Sequence, residues 1–167
     1  MDAERRLFAR FEEMGIRAET LEHEATATVA DSTHLAESLP GGRSKSLLLE
    51  DKDKRLILVT ALGRSRADLK KIGEAVNARG RLSFADGSRM EEVLGVEPGH
   101  LTPFSLINDR EGQIDTLVLD EELMDHDPIW AHPLRNTAST AISSNDLKAF
   151  AALHVRKVIV LGLAQAS

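Results

Sequence analysis

Hydrophobic positions along this chain switch between the three- to four-residue spacing of helices and the two-residue alternation of strands. The first helix is predicted between a capping Asp2 and Gly15, with apolar residues at helical spacing in between. Four further helices are predicted after Ser/Thr-x-x-Asp/Glu capping patterns, which begin at Thr28, Ser65, Ser88 and Ser143. The second of the five helices is expected over 29–39.

Short apolar runs predict nine strands between these helices. The run at 55–61 is apolar on both faces, so we expect it in the middle of a sheet. The expected strands cover 16–24, 43–50, 55–61, 81–85, 104–108, 113–119, 128–131, 137–143 and 158–163. Helices and strands alternate irregularly, with hairpins among them. This indicates an α/β (α+β) fold, a single domain over 1–167 with a mixed, mostly antiparallel sheet flanked by helices.

The composition narrows the chemistry. The 167 residues include no cysteine, which excludes disulfides, thiolate nucleophiles and cysteine metal sites and makes the cytoplasm the expected compartment. No apolar run approaches the length of a membrane span, and the N-terminal residues lack the apolar segment of a signal peptide. We therefore expect no membrane association.

Charge is distributed unevenly, which matters more than the net value of −6. Between Arg43 and Arg81 lie eleven basic and five acidic residues, so this segment carries +6 and the remainder −12. Such asymmetry can create a phosphate-attracting patch on an acidic protein. The same residues can equally be solvated strand ends and helix faces, and the pattern leaves both interpretations open.

The segment from Gly95 to Asp109 combines glycines and prolines ahead of a short apolar run. A loop constrained by Pro98 and Pro103, with Gly99 free to adopt a positive φ, can expose consecutive backbone N–H groups to a ligand. An ordinary helix-to-strand connection would have the same composition. The segment is therefore a candidate binding loop. Its own residues do not show whether it binds a ligand or only connects a helix to a strand.

Two side chains are candidates for chemistry. Strand alternation places Lys45 on the same face as Leu47 and Leu49, where its ammonium can meet a phosphate or carbonyl oxygen, or extend past the strand end to water. His132 precedes a proline, which favours an extended backbone and a defined ring direction. The polar run that follows, including Asn136 and Thr137, offers neutral hydrogen-bonding groups suited to a polar ligand.

Other kinds of site find little support. The run 125–127 (Asp-His-Asp) and His132 do not have the ligand spacing of a known metal site, so we expect no metal. The chain has no Gly-x-Ser-x-Gly elbow, no phosphate-binding P-loop and no Gly-x-Gly-x-x-Gly fingerprint. We therefore expect no cofactor.

Three features in this order resemble one family. They are the lysine in Arg-Ser-Lys-Ser-Leu-Leu-Leu (43–49), the loop Gly-His-Leu-Thr-Pro (99–103), and His-Pro-Leu-x-Asn-Thr-x-x-Thr (132–140). The combination is similar to free-standing aminoacyl-tRNA editing proteins related to the editing insertion of bacterial prolyl-tRNA synthetase, which have the YbaK-like fold. The resemblance covers nearly the whole chain.

The resemblance implies a deacylase that hydrolyses mischarged tRNA(Pro), most typically the alanyl ester. It implies the acceptor end of tRNA(Pro) as partner and transient contact with prolyl-tRNA synthetase or an elongation factor, with no DNA. The implied catalytic residues are Lys45, Gly99, His100 and Leu101. The implied substrate-binding residues are Ser46, Thr102, Pro103, Phe104, Ser105, His132, Asn136 and Thr137.

Two departures from the family pattern leave the acyl group open. The family commonly has asparagine where this chain has Ser46, and glycine or alanine where it has Ser105. The loop also differs from the Gly-Gly-Ile-Ser-Pro type of relatives of cysteinyl-tRNA deacylase, which favours the alanyl-type branch. The alternatives are editing of another small residue, such as serine, threonine or aminobutyrate, and a non-catalytic tRNA-binding or regulatory module.

Overall fold

The computed structural model describes residues 2–24, 40–63 and 66–163. The predicted helix over 29–39, with its cap at Thr28, lies outside these residues. In the described part the helices are α1 (Ala3–Glu13), α2 (Leu69–Ala75), α3 (Gly87–Leu94), α4 (Glu121–Met124) and α5 (Ser144–Ala152), with a 3-10 helix at Pro103–Asn108. None of these helices is long and apolar enough to cross a membrane.

The strands form one mixed sheet. They are β1 (Glu19–Glu22), β2 (Gly42–Glu50), β3 (Leu56–Leu62), β4 (Ser83–Phe84), β5 (Ile114–Asp120), β6 (Ile129–Ala131), β7 (Ala138–Ile142) and β8 (Lys157–Leu161). Their order is β1-β7-β6-β2-β3-β5-β8, with β4 paired to β2. The pairs β2–β6, β3–β5 and β5–β8 are parallel and the other four are antiparallel. The predicted fold class is confirmed, as is the central position of β3, which is buried throughout.

The two faces of the sheet have different coverings. On one face, alternate residues such as Leu48 and Leu58 join the main core beneath α1, α3, α5 and the 3-10 helix. On the other face, Leu49, Ile57 and Val59 pack with Ile72 of α2 in a second, smaller core. We call this second side the lysine face, because strand alternation places Lys45 on it together with Leu49.

The main core is centred on three phenylalanines. The ring of Phe11 lies 5.3 Å from that of Phe104 and 5.4 Å from that of Phe150, both edge to face. Phe104 and Phe150 complete the triangle at 5.9 Å. Edge-to-face pairs of buried rings stabilise a core beyond the effect of area alone. This triangle fixes α1, α5 and the 3-10 helix to one another.

The strand predicted at 104–108 is wrong, because this run is a 3-10 helix. Thr102 caps it: its hydroxyl accepts from the Phe104 N–H, and the Ser105 hydroxyl in turn accepts from the Thr102 N–H. Pro103 occupies the first turn, where its missing N–H costs nothing. An apolar run of four residues is compatible with either structure, and the cap decides for the helix.

Two predicted helix caps and one strand length also need correction. Asp68, not Ser65, caps α2 by accepting from the Lys71 N–H, and Asp86, not Ser88, caps α3. In both cases an aspartate lay within three residues of the serine and accepts more strongly as an anion. The strand expected over 16–24 is shortened to β1, because the Ile16 N–H donates to the carbonyl of Phe11 and closes α1.

We expect Phe104→Ala to lower the free energy of unfolding by about 3–5 kcal/mol, because a fully buried ring would leave a cavity in the triangle. Phe84→Ala is the matched control, since the Phe84 ring is 61% exposed and its removal should change stability by no more than about 0.5 kcal/mol. Urea unfolding of both variants measures the difference. Similar losses in the two variants would contradict the assigned core.

Candidate functional site

The edge of β2 opposite β3 is shared by two short strands. β6 pairs with it at Gly42 and Arg43, and β4 pairs with it at Leu49 and Glu50. Between them, no strand of the described residues covers this edge. The Leu48 carbonyl accepts from the Ala85 N–H, so the even-numbered residues of β2 direct their main-chain groups towards this edge. The uncovered stretch is an opening in the sheet centred on residues 45–47.

Lys45 and His132 both follow the place where β2 and β6 pair. Arg43 is paired with Trp130 at the end of this parallel pairing. Lys45 follows Arg43 by two residues and His132 follows Trp130 by two residues, and strand alternation directs both side chains to the lysine face. Two residues that are 87 positions apart in the sequence thus follow neighbouring strand segments on the same face of the sheet.

The His132 ring is held in one tautomer. Its Nδ1 lies 3.0 Å from the carbonyl of Ala138, which can only accept, so Nδ1 carries the proton. Burial lowers the pKa of His132 most, the hydrogen bond to the Ala138 carbonyl opposes this, and the positive charge of Arg43 lowers the pKa further. The imidazole is therefore neutral at neutral pH, and its Nε2 is a hydrogen-bond acceptor.

A chain of hydrogen bonds orders the neighbouring polar groups. Arg43 Nη1 donates to Ser139 Oγ at 3.0 Å, which leaves the serine proton to donate to His23 Nε2 at 2.9 Å. His23 Nδ1 in turn lies 2.7 Å from the carbonyl of Glu24, so this ring carries its proton on Nδ1. The His23 and His132 rings are 6.4 Å apart. In both imidazoles, a hydrogen bond between Nδ1 and a backbone carbonyl thus sets the orientation of the ring.

Most residues of this hydrogen-bond network could not be predicted from the sequence. Arg43 had a usable signal, since it lies two residues before Lys45 on the same strand face. Ser139 belonged to the polar run after His132. His23 had none, because only the pairing of β1 with β7 places it beside Ser139.

Lys45 lies in a mixed electrostatic environment. Burial lowers the pKa of Lys45, and the carboxylate of Asp120 partly opposes this. Asp120 is itself buried and accepts from the N–H groups of Leu62 and Glu122. The carboxylate is thus fixed by the backbone, and the lysine ammonium is attracted towards it across β3. The site therefore presents a partly desolvated cation next to a neutral imidazole.

The segment from Gly95 to Asp109 divides into an exposed front and a buried rear. Gly99 is exposed with φ of 93°, and the His100 N–H donates to the carbonyl of Glu97. The Thr102 N–H is occupied by Ser105. Among the described residues, the N–H groups of Gly99 and Leu101 donate to no other group, in contrast to those of His100 and Thr102.

Several of the predicted substrate-binding residues have other partners. The Ser46 hydroxyl lies 2.9 Å from that of Thr60, on the face opposite Lys45. Pro103, Phe104 and Ser105 are buried in the main core with Thr102, and they hold the loop from behind. Asn136 is half-buried beside the His132 strand, and Thr137 Oγ1 accepts from Arg135.

Arg135 fixes the turn after His132. Its Nη1 and Nη2 donate to both carboxylate oxygens of Glu22 at 2.7 and 2.6 Å, and its Nε donates to Glu4 at 3.0 Å. These bonds raise the pKa of Arg135, that to Glu22 most of all. Leu134, just before it, has a φ of 73°, in the left-handed region that a leucine rarely adopts. The backbone of the turn is therefore strained at Leu134, and the bonds of Arg135 to Glu22 and Glu4 hold the turn in this conformation.

No group of three or more His, Asp or Glu side chains in the described residues is arranged to hold a metal ion. A cavity of about 670 Å³ lies elsewhere: it is lined by Arg6, Arg10, Arg110, Leu153 and His154, on the main-core side. The uncovered edge of β2 beside Lys45 is a different part of the molecule. We prefer it as the candidate site because the chemically suited groups converge there.

Comparison with known proteins adds an independent line of argument. The sequence model of the aminoacyl-tRNA editing domain matches residues 23–150. A mouse protein named prolyl-tRNA synthetase associated domain-containing protein 1 is 34% identical, with 82% of each chain covered. The prolyl-tRNA editing protein ProX of Acetoanaerobium sticklandii is 28% identical over 89% of this chain and 90% of that protein. A solved structure described as a candidate trans-editing enzyme for prolyl tRNA synthetase has a TM-score of 0.77 at 22% identity, covering 99% of both chains, which shows a common fold.

We expect Arg135→Leu to loosen the turn over 132–137 while costing under about 1 kcal/mol of global stability, because the ion pairs are partly exposed. Hydrogen exchange of these amides should become faster. Arg156→Leu is the control, since this arginine is 85% exposed and 4.0 Å from its aspartate. If the amides of this turn exchange at the same rate in Arg135→Leu as in the wild type, the turn does not depend on the ion pairs of Arg135.

We also expect stability to fall as the pH drops below about 6.5, the ordinary pKa of histidine. The unfolded chain binds a proton at His132 more readily than the folded chain, because the folded pKa is lowered. His132→Asn keeps a donor near the Ala138 carbonyl and removes the titration, so its loss of stability between pH 7.5 and 5.5 should be smaller. Urea unfolding at both pH values is the measurement, and equal losses would contradict the assignment.

Proposed function

Since the chain belongs to the aminoacyl-tRNA editing domain family, we propose that it is a trans-editing deacylase for mischarged tRNA(Pro), with alanine the preferred acyl group. The observation that supports the proposal is the neutral His132 imidazole, fixed by the Ala138 carbonyl on the face of the sheet to which alternation also directs Lys45. A cation and a fixed acceptor suit an ester that joins an ammonium-bearing amino acid to a phosphate-rich nucleotide.

The reaction supplies discrimination that a synthetase cannot reach by binding alone. Rejecting a smaller amino acid through missing contacts yields only about 1–3 kcal/mol, or roughly 10–200-fold. A second site that admits the small residue and excludes the larger, correct one provides the rest.

In the proposed mechanism, water attacks the carbonyl carbon of the ester, positioned in part by the free hydroxyl of the terminal ribose. The N–H groups of Gly99 and Leu101 stabilise the oxyanion of the tetrahedral intermediate. The intermediate collapses by breaking the bond to the ribose oxygen, which takes up the proton given up by the water. The products are the free amino acid and a tRNA with its 3′-terminal hydroxyls restored.

Lys45 and His132 have positioning roles in this scheme. The Lys45 ammonium binds the phosphate of the terminal adenosine or the ester carbonyl. His132 Nε2 accepts a hydrogen bond from the substrate, because the ring proton is fixed on Nδ1 by Ala138. We assign it to holding the substrate rather than to acting as the sole base, since an activated ester needs little help.

The +6 segment would guide the acceptor stem to this site, and contacts with prolyl-tRNA synthetase or an elongation factor would be transient. We place the reaction in the cytoplasm, in keeping with a chain without cysteine, and treat 1–167 as one editing unit.

Hydrolysis of another small acyl group is the second candidate. Ser46 and Ser105 replace the usual family residues, and both hydroxyls are already hydrogen-bonded to Thr60 and Thr102 respectively. Neither is therefore committed to an acyl group in this conformation. Seryl, threonyl or aminobutyryl esters would enter the same opening. A module that binds tRNA without turnover is the alternative from another class.

We expect Lys45→Ala to lower kcat/KM for alanyl-tRNA(Pro) by about 100-fold or more without unfolding the protein, because the cation that binds the substrate is lost. Lys70→Ala is the matched control, an exposed lysine on α2. The assay is a hydrolysis panel of alanyl-, seryl-, threonyl- and aminobutyryl-tRNA(Pro). Full activity of Lys45→Ala would overturn the assigned site, and no turnover of any ester by the wild type would favour the binding module.

A further inference from the structure

Phe84 is the most exposed of the large apolar side chains in the described residues. Its ring is 61% exposed, on the two-residue edge strand β4. It is paired directly with Leu49, so its side chain projects on the lysine face. An exposed aromatic ring on a sheet edge costs solubility and adds nothing to the core.

Two exposed cations lie close to this ring along the chain. Lys52 and Arg81 are each three residues from a member of the pair formed by Leu49 and Phe84, and no carboxylate of the described residues forms an ion pair with either. Asp86, two residues after Phe84, is also exposed, and its carboxylate accepts from the Arg89 N–H at the start of α3. Glu50 is on the opposite face of β2.

The acidic groups nearby are already engaged. Glu50 lies 3.3 Å from the Lys54 ammonium and 3.7 Å from Arg89, and Asp53 lies 3.7 Å from Arg79. Asp51 is buried and accepts from three backbone N–H groups in the β2–β3 turn. The negative charges of these three carboxylates are therefore largely balanced by their own ion-pair and hydrogen-bond partners. An aromatic ring flanked by cations is the arrangement with which proteins bind single-stranded nucleic acid.

The ring is also placed correctly relative to the candidate site. Four residues of β2 separate Leu49 from Lys45, which is about 13 Å along the strand. Phe84 therefore lies on the same face of the sheet as the proposed ester-binding groups, at the far side of the opening. The unpaired 3′ end of a tRNA, entering with its terminal adenosine at Lys45, would pass over this surface.

We propose that Phe84 is a stacking platform for an unpaired base in the acceptor end of the tRNA substrate. The ring offers its π-face to a base, and Lys52 and Arg81 neutralise the adjoining phosphates. This inference rests on the proposed function for the identity of the RNA. The contact is independent of the acyl group, so it contributes to binding of the nucleic acid and not to the chemistry.

The test compares Phe84→Ala and Phe84→Trp with the wild type in two assays. The first is binding of uncharged tRNA(Pro) at constant salt. The second is hydrolysis of alanyl-tRNA(Pro) and of 3′-alanyl-adenosine, which carries the ester without the preceding nucleotides. Leu153→Ala is the matched control, because Leu153 is 57% exposed but lies beside the cavity on the main-core side.

Phe84→Ala should weaken tRNA binding, and lower kcat/KM for the charged tRNA, by about 5- to 150-fold, the range measured for loss of one stacked base. Phe84→Trp should retain binding, since an indole stacks at least as well. Hydrolysis of alanyl-adenosine should be the same in all variants, and Leu153→Ala should match the wild type throughout.

Three results would overturn the platform: tRNA binding unchanged in Phe84→Ala, equal weakening in Phe84→Trp, or an equal loss of alanyl-adenosine hydrolysis in Phe84→Ala. A wild type that binds tRNA(Pro) but hydrolyses neither ester would overturn the proposed function instead. In that case the tRNA-binding assay alone would test whether Phe84 is a stacking platform.

Discussion

The arrangement of this molecule depends on how the free edge of β2 is covered. β6 pairs with one end of that edge in parallel and β4 pairs with the other end in antiparallel fashion, and no strand within residues 2–24, 40–63 and 66–163 covers the middle. A central strand normally satisfies both rows of its main-chain groups. Here the interruption is compatible with stability because β3 is wholly buried on the other side and anchors β2 along its length. The described part of the sheet is thus interrupted between β6 and β4, beside the middle of β2.

The electrostatics of this opening follow from hydrogen-bond direction. A backbone carbonyl can only accept, so the carbonyls of Ala138 and Glu24 fix the protons of His132 and His23 on Nδ1. Arg43 then supplies a permanent positive charge that disfavours a second proton on His132. The site therefore combines cations that attract phosphate with a His132 imidazole that is neutral at neutral pH. These are separate tasks, and separate residues perform them.

The Gly/Pro segment shows why a sequence pattern can be correct about a loop and wrong about its structure. Its residues indicated a constrained turn before an apolar run, and that is observed. The apolar run was expected as a strand, but the reciprocal cap of Thr102 and Ser105 makes it a 3-10 helix. Phe104 then enters the aromatic triangle. The rear of the loop, from Leu101 onwards, is buried in the core, while Gly99 at its front is exposed and His100 is half-buried.

The sequence by itself determined the fold class and the positions of most helices and strands. It also identified Lys45 and His132 as candidate site residues. These follow from local causes: periodicity, caps, and a proline after the histidine. Only the tertiary structure decided that Lys45 and His132 follow adjacent strand segments, that Arg43, Ser139 and His23 are linked, and that Phe84 lies on the same face as Lys45. Each of those facts depends on strand order and register between segments distant in the chain. Pairing energy arises only once the strands have met, so no single segment encodes it.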